Sequence, residues 1–188
     1  MDWKRFLRIE RKTKIDVVVG DITTIPADAI VNAAKSSLMG GGGVDGAIHA
    51  AGGPTILLAC QQLRTFELQD GLSAGDAVAT IAGDLPADYV IHTVGPRYEI
   101  DHPDAYEQLV SILRSAYRKS LYEADRVGAK TITFPLISSG VYGWPLEDAI
   151  HQAVAAVRDT KTNVRKITFV TRTPATADLL RHEIAAMK

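Results

Sequence analysis

The sequence predicts an α/β protein, a three-layer α/β/α sandwich on a mixed, largely parallel central sheet. Three observations carry this. Short β-branched runs alternate with helical patterns along the chain. An apolar run at Ala29, Ile30 and Val31 ends in a loop with four consecutive glycines, Gly40, Gly41, Gly42 and Gly43, which passes into a helical pattern at Ala47, Ile48 and His49. No internal repeat or low-complexity tract breaks the alternation.

In order along the chain, Lys14, Ile15, Asp16, Val17, Val18 and Val19 are stopped by Gly20 and Asp21, which predicts a buried strand delivering Asp21 to its end. Residues 26–31 predict the next strand. A helix is expected from about Val44 or Asp45 to Gly52 and Gly53, and Pro54 begins another through Leu57, Leu58 and Leu63. Turn chemistry at 72–76 precedes an alternating strand at 77–81, and 88–94 is a further strand closed by Gly95 and Pro96. Pro103 starts the longest helical pattern, with a core face of Tyr106, Leu109, Val110, Leu113, Tyr117 and Leu121, ending near Gly128. Residues 131–137 are β-rich. A second small-residue loop follows at 138–144, then a helix begun by Pro145 with Glu147 and Asp148 in its first turn. Residues 165–170 give the last strand, and Pro174 starts the last helix.

A chain of 188 residues fits one domain across 1–188, and 46% hydrophobic with 23% charged residues is an ordinary globular composition. No apolar run is long enough for a membrane span, so a soluble protein is expected. Residues 1–14 carry six basic residues, Lys4, Arg5, Arg8, Arg11, Lys12 and Lys14, without the apolar core of a secretory signal, and read as a solvated lead-in. A net charge of −1 gives the whole molecule no electrostatic reason to bind nucleic acid. The lone Cys60 excludes an internal disulfide and, with scattered histidines, a Cys-rich zinc site; a reducing, cytoplasmic setting and no metal are expected.

In open α/β sheets ligands bind beyond the carboxyl ends of the strands, which brings Asp21, residues 32–45 and residues 138–142 to one crevice. Two glycine-containing loops, each running into a helix, offer a pair of anion nests, and a pair suits a diphosphate. Neither loop has the Walker A ending or the dinucleotide fingerprint, so ATP hydrolysis and hydride transfer recede. A carboxylate, Asp45, inside an anion-friendly loop is suited to the neutral part of a ligand, a sugar or an attacking water. Asp21 is either a ligand contact or a turn and helix-cap residue. Tyr142 either covers a sugar ring or packs on Trp144. His49 and His92 read as structural, with no nucleophile or metal partner near them in sequence.

Asn32-Ala33-Ala34, the run from Leu38 through Gly40-Gly41-Gly42-Gly43-Val44-Asp45-Gly46-Ala47-Ile48-His49, Ile91-His92-Thr93-Val94-Gly95-Pro96 and Ser138-Ser139-Gly140-Val141-Tyr142-Gly143 together resemble the macrodomains of the MacroD-type branch. The resemblance extends from about Ile15 to Glu183. It implies the macrodomain fold, ADP-ribose as ligand and product with no cofactor, and hydrolysis of ester-linked ADP-ribose on acidic protein side chains or as O-acetyl-ADP-ribose. Asp21 would accept from the adenine amino group with the Ile22 backbone nearby. Asn32, Gly41, Gly42, Gly43 and Val44 would border the distal ribose. Ser138, Ser139, Gly140, Val141 and Tyr142 would cradle the diphosphate, with Tyr142 over the distal ribose, and Asp45 would be the catalytic aspartate. ADP-ribosylated proteins are the implied partners, ADP-ribosylated nucleic acid an alternative, with no membrane and a monomeric state.

Two positions depart from the family pattern. Lys35 stands where the family's second Asn helps to hold the distal ribose. A lysine has three donors and no acceptor, so it either joins the catalytic set by pairing with Asp45 or a phosphate, which would lower the basicity of Asp45, or points into solvent. Arg172 stands where relatives often place an aromatic ring against adenine; it either stacks there or is an exposed strand-end charge. An ADP-ribose reader without turnover is therefore the alternative to a hydrolase.

Overall fold

Strands β1 (Lys14–Val19), β2 (Ala29–Ala33), β3 (Ala77–Ile81), β4 (Tyr89–Thr93), β5 (Thr131–Phe134) and β6 (Lys166–Thr171) form one sheet in the order β1-β6-β5-β2-β4-β3. The computed structural model describes residues 13–100, 102 and 104–187. Residues 1–12, which hold most of the basic lead-in, and Pro103, the expected helix start, lie outside the described residues. Every neighbouring strand pair is parallel except β3 with β4. The expected mixed, mostly parallel sheet is therefore the observed one.

Helices α1 (Gly43–Gly52) and α2 (Pro54–Phe66) cover one face, and α3 (Ala105–Arg126), α4 (Leu146–Asp159) and α5 (Pro174–Ala186) the other. The period-2 alternation of the strands divides the core between them. On β2, Ala29 and Val31 join the α3/α4/α5 layer with Leu113, Tyr117, Phe134 and Phe169, while Ile30 joins Ile48, Ile56 and Cys60 on the α1/α2 side. Both layers contain fully buried side chains, so the sheet is sandwiched as predicted.

Several boundaries differ from expectation for identifiable reasons. β1 is a half-buried strand at the sheet margin rather than a buried one, pairing only with β6 among the described residues. β2 starts at Ala29 rather than residue 26. Pro26 has no N–H to donate, and the Asp28 carboxylate is engaged by the Lys130 and Thr131 amides at 2.6 and 2.9 Å. β5 ends at Phe134 because Pro135 cannot extend the ladder and Ser138 turns at φ +65°. Tyr106 is not core: it is 37% exposed and donates to Asp148 at 3.0 Å. Tyr117 is fully buried, as its helical face predicts.

Candidate functional site

The parallel strands align their carboxyl ends along one edge of the sheet. β1 delivers Asp21, β6 Arg172, β5 the 138–144 loop, β2 Lys35 and the glycine loop, and β4 Gly95. β1 and β2 lie three strand spacings apart, roughly 14 Å at about 4.8 Å each.

A cavity of about 480 Å³ lies at the β2 and β5 end of this edge. Its walls include Lys35, Gly42, Gly43, Val44 and Asp45 from the first loop and Ser138, Ser139, Gly140, Val141 and Tyr142 from the second. Asp21, Ile22, Asn32, Gly41 and Arg172, expected in the same crevice, do not line it. Ile22 is buried beneath the adjoining strand ends, and Asn32 lies behind Asp45, fully buried.

Loop geometry explains the small residues. A Cβ at Gly46 would sit 2.4 Å from the Gly41 carbonyl oxygen, so only glycine lets the loop fold back on the first turn of α1. A Cβ at Gly95 would fall 2.2 Å from the Ser138 hydroxyl, so the β4 end leaves room for the second loop. No side chain caps α1, leaving its first amides to the cavity side. The second loop is held from below: the Ile137 amide donates to the Tyr117 hydroxyl at 2.9 Å, and buried Trp144 donates through Nε1 to Asp148 at 2.8 Å. Tyr142 does not pack on Trp144, whose ring neighbours are Tyr98 and Tyr106; its ring lies under the Arg97 guanidinium, 5.0 Å away. Tyr142 thus remains in the cavity wall.

Asp45, 3% exposed, is held by a polar cluster between sheet and helices. Asn32 and His92 are register partners on adjacent strands, one same-face step beyond apolar Ile30 and Val90. Asn32 Nδ2 donates to Asp45 Oδ1 at 2.7 Å and lies 3.1 Å from His92 Nδ1. His92 Nε2 is 2.9 Å from the Thr80 hydroxyl and 3.6 Å from Cys60 Sγ, and His49 Nε2 is 3.5 Å from Asp45 Oδ1. Burial, reinforced by His49, pushes the pKa of His92 down to about 3, so the ring stays neutral. Burial, reinforced by the Asp45 charge, pushes the Cys60 thiol up to about 12.

The sequence alone offers His49 and His92 no partners, but the fold brings His49, Cys60 and His92 within 4.8 Å of one another and against Asp45. The strand parity of Asn32 and His92 is the signal that could have found them. Through Asn32 and His49 the cluster meets Asp45, and through His92 it meets Thr80, so it reads as a hydrogen-bonded support for Asp45.

Buried polar atoms without partners gather here. Among the described residues, Asn32 Oδ1, Asp45 Oδ2, His49 Nε2 and Ser138 Oγ are such atoms at this site; Thr133 Oγ1 and Arg158 Nε lie elsewhere. Such atoms are few in folded proteins, and a cluster at one cavity marks where a polar ligand or water supplies the missing partners.

Lys35 is exposed and reaches over the first loop. A Cβ at Gly41 would lie 2.9 Å from Lys35 Nζ and 3.1 Å from Asp45 Oδ2, so cation and carboxylate flank one point beside the loop. At the other end, Asp21 caps the turn Ile22–Thr24, accepting from the Thr23 amide at 3.0 Å, and its second oxygen lies 3.9 Å from Arg172. The Thr23 hydrogen bonds, aided by Arg172, hold the Asp21 carboxyl below the usual range. The cap and ligand-facing readings of Asp21 are therefore compatible, one oxygen serving each.

Comparisons with known proteins agree with this geometry. A family profile described as Macro domain matches residues 31–153. A macro domain-containing protein of Streptomyces coelicolor is 57% identical over 158 residues, 84% of this chain and 90% of that protein. An O-acetyl-ADP-ribose deacetylase of Pantoea vagans is 51% identical over 163 residues, 83% of this chain and 91% of that one. The solved macrodomain of Oceanobacillus iheyensis with ADP superimposes with a TM-score of 0.87 at 35% identity, covering 94% of this chain and 92% of its own.

Proposed function

The chain belongs to the macrodomain family, and from that premise we propose that it binds ADP-ribose and hydrolyses ester-linked ADP-ribose, as O-acetyl-ADP-ribose and on protein acidic side chains. The observation that carries this reading is the state of Asp45. One carboxylate oxygen is fixed by Asn32, and the other is buried without a partner beside a cavity whose far wall is the 138–142 loop. The deacetylase name of the Pantoea vagans relative and the ADP in the Oceanobacillus iheyensis structure support it.

In this reading Asp21 takes the adenine amino group near the Ile22 backbone, with Arg172 across the ring. The amides of 138–142 and of the α1 start hold the diphosphate. Tyr142, Gly42, Gly43 and Val44 border the distal ribose, with Asn32 behind them holding Asp45. Asp45 Oδ2 orients a water and accepts its proton as the water attacks the acyl carbon; the bond from that carbon to the ribose oxygen breaks, the acyl group keeps the hydroxyl as the free acid, and the proton passes from Asp45 to the ribose oxygen, leaving ADP-ribose. Incubation with O-acetyl-ADP-ribose and with a glutamate-ADP-ribosylated protein should release ADP-ribose from each. Absence of turnover on both, beside an active relative, would overturn the reading.

Lys35 favours a second reading, a reader that binds without turnover, because an ammonium lacks the acceptor of the amide found in relatives. Calorimetry with ADP-ribose separates the two: binding without turnover, with activity gained by Lys35→Asn, identifies the reader.

A further inference from the structure

We propose that His92 is a positioning residue for hydrolysis at this site, setting through Asn32 which oxygen of Asp45 is free to handle water. The inference rests on the hydrolase reading above, and it follows from the direction of each hydrogen bond in the buried cluster.

The direction is set from the carboxylate, which only accepts: Asn32 turns its Nδ2 to Asp45 Oδ1, and the same nitrogen faces His92 Nδ1, which is therefore the acceptor. His92 Nε2 then carries the proton toward the Thr80 oxygen 2.9 Å away, with the Ile81 carbonyl 3.2 Å from that hydroxyl to take its proton. Facing Nδ1 at 3.1 Å is Asn32 Nδ2, whose other proton goes to Asp45 Oδ1 at 2.7 Å. Each atom has one role, and the row from Ile81 to Asp45 closes in a single orientation. Turning the Asn32 amide over would set its oxygen against both the Asp45 carboxylate and the lone pair of Nδ1, two repulsions in a site with no exposure at Asn32 or His92.

Two consequences follow. Asp45 Oδ1 takes the Asn32 donor and faces His49 Nε2 at 3.5 Å, so Oδ2, which has no partner and faces Gly41, is the oxygen that meets water. Asn32 Oδ1 is the matching unpartnered acceptor for a hydroxyl donor. The imidazole stays neutral through the working pH range because burial disfavours its charged form, so the tautomer is not titrated away. His92 touches neither water nor ligand; it holds the amide that holds the carboxylate.

The test compares His92→Leu with His92→Asn, whose side-chain oxygen falls near the position of Nδ1 and can accept from Asn32. His92→Leu should lower kcat by about 100-fold, the scale of a mispositioned catalytic group, while the Kd for ADP-ribose stays within about threefold. His92→Asn should recover most of that loss. The other titratable groups facing Asp45, namely Lys35 from the loop after β2, His49 on α1 and Cys60 on α2, are the same in both variants. Equal impairment of the two variants, or a loss in His92→Leu that falls on Kd rather than kcat, overturns the proposal. Should His92→Leu fail to fold, Thr80→Val removes the acceptor at the far end and is read the same way. Failure of the wild-type protein to turn over substrate counts instead against the hydrolase reading.

Discussion

The two faces of the sheet are built from the same strands and differ most near the carboxyl ends of β2 and β4. Against α3, α4 and α5 the side chains are mainly apolar, through Val31, Ile91, Phe134 and Phe169, and the buried Thr93 hydroxyl there is spent on the Asp76 carbonyl at 2.7 Å. Against α1 and α2 they begin apolar, with Ile30 and Val90, and one same-face step later become Asn32 and His92. Buried polar groups cost stability unless paired, so a mainly apolar face whose few polar groups are paired gives rigidity cheaply, and the polar face is tolerated where it holds one carboxylate in position. The lesson is that the site's precision depends on both: the apolar face clamps the second loop through Tyr117 and Trp144, and the polar face orients Asp45.

That division can be broken from either side. On the polar face, Asp45→Asn should reduce turnover of O-acetyl-ADP-ribose by about 100- to 10,000-fold, the range of a lost general base, with little change in the melting midpoint. A loss under tenfold would mean that the ligand's own phosphate performs the proton transfer. On the apolar face, Phe169→Ala should cost about 3–5 kcal/mol in urea unfolding while lowering kcat far less than Asp45→Asn, because Phe169 is fully buried against Tyr117 and Phe134 and bears on the second loop only through Tyr117.

Smaller effects sharpen the contrast at the rims. Asp21→Ala removes a turn cap and the adenine acceptor together, and should weaken ADP-ribose binding about fivefold by calorimetry. Because hydrogen bonds from Thr23 depress the Asp21 carboxyl, its contribution is complete above its ordinary pKa and is lost only as pH falls through the lowered folded value. Binding at the adenine end should therefore hold steady from pH 7 down to about pH 4. Lys35→Asn should change affinity by no more than about threefold and flatten its dependence on salt, as expected for an exposed cation.

Much of this was legible in the sequence because it rests on local chemistry. The glycine loop, the helix starts at Pro54 and Pro174, and the Gly75 and Gly95 turns follow from residue-level preferences, and the alternation of elements fixes the layer order. The polar cluster behind Asp45 was not legible, since Asn32, Thr80 and His92 meet only through strand register, a long-range property. The expectation of a buried β1 fails for the same reason: a β-branched run does not reveal whether a neighbour lies on both sides. Lys35 is unusual on sequence alone, but its placement relative to Asp45 depends on how the loop passes Gly41.

Cys60 gives the molecule a built-in clock. The sequence has a single thiol, and it is sealed beneath α1 and α2 with its ionisation strongly suppressed. An alkylating reagent can reach it only when that layer swings open, so the labelling rate measures how often the floor under Asp45 comes apart.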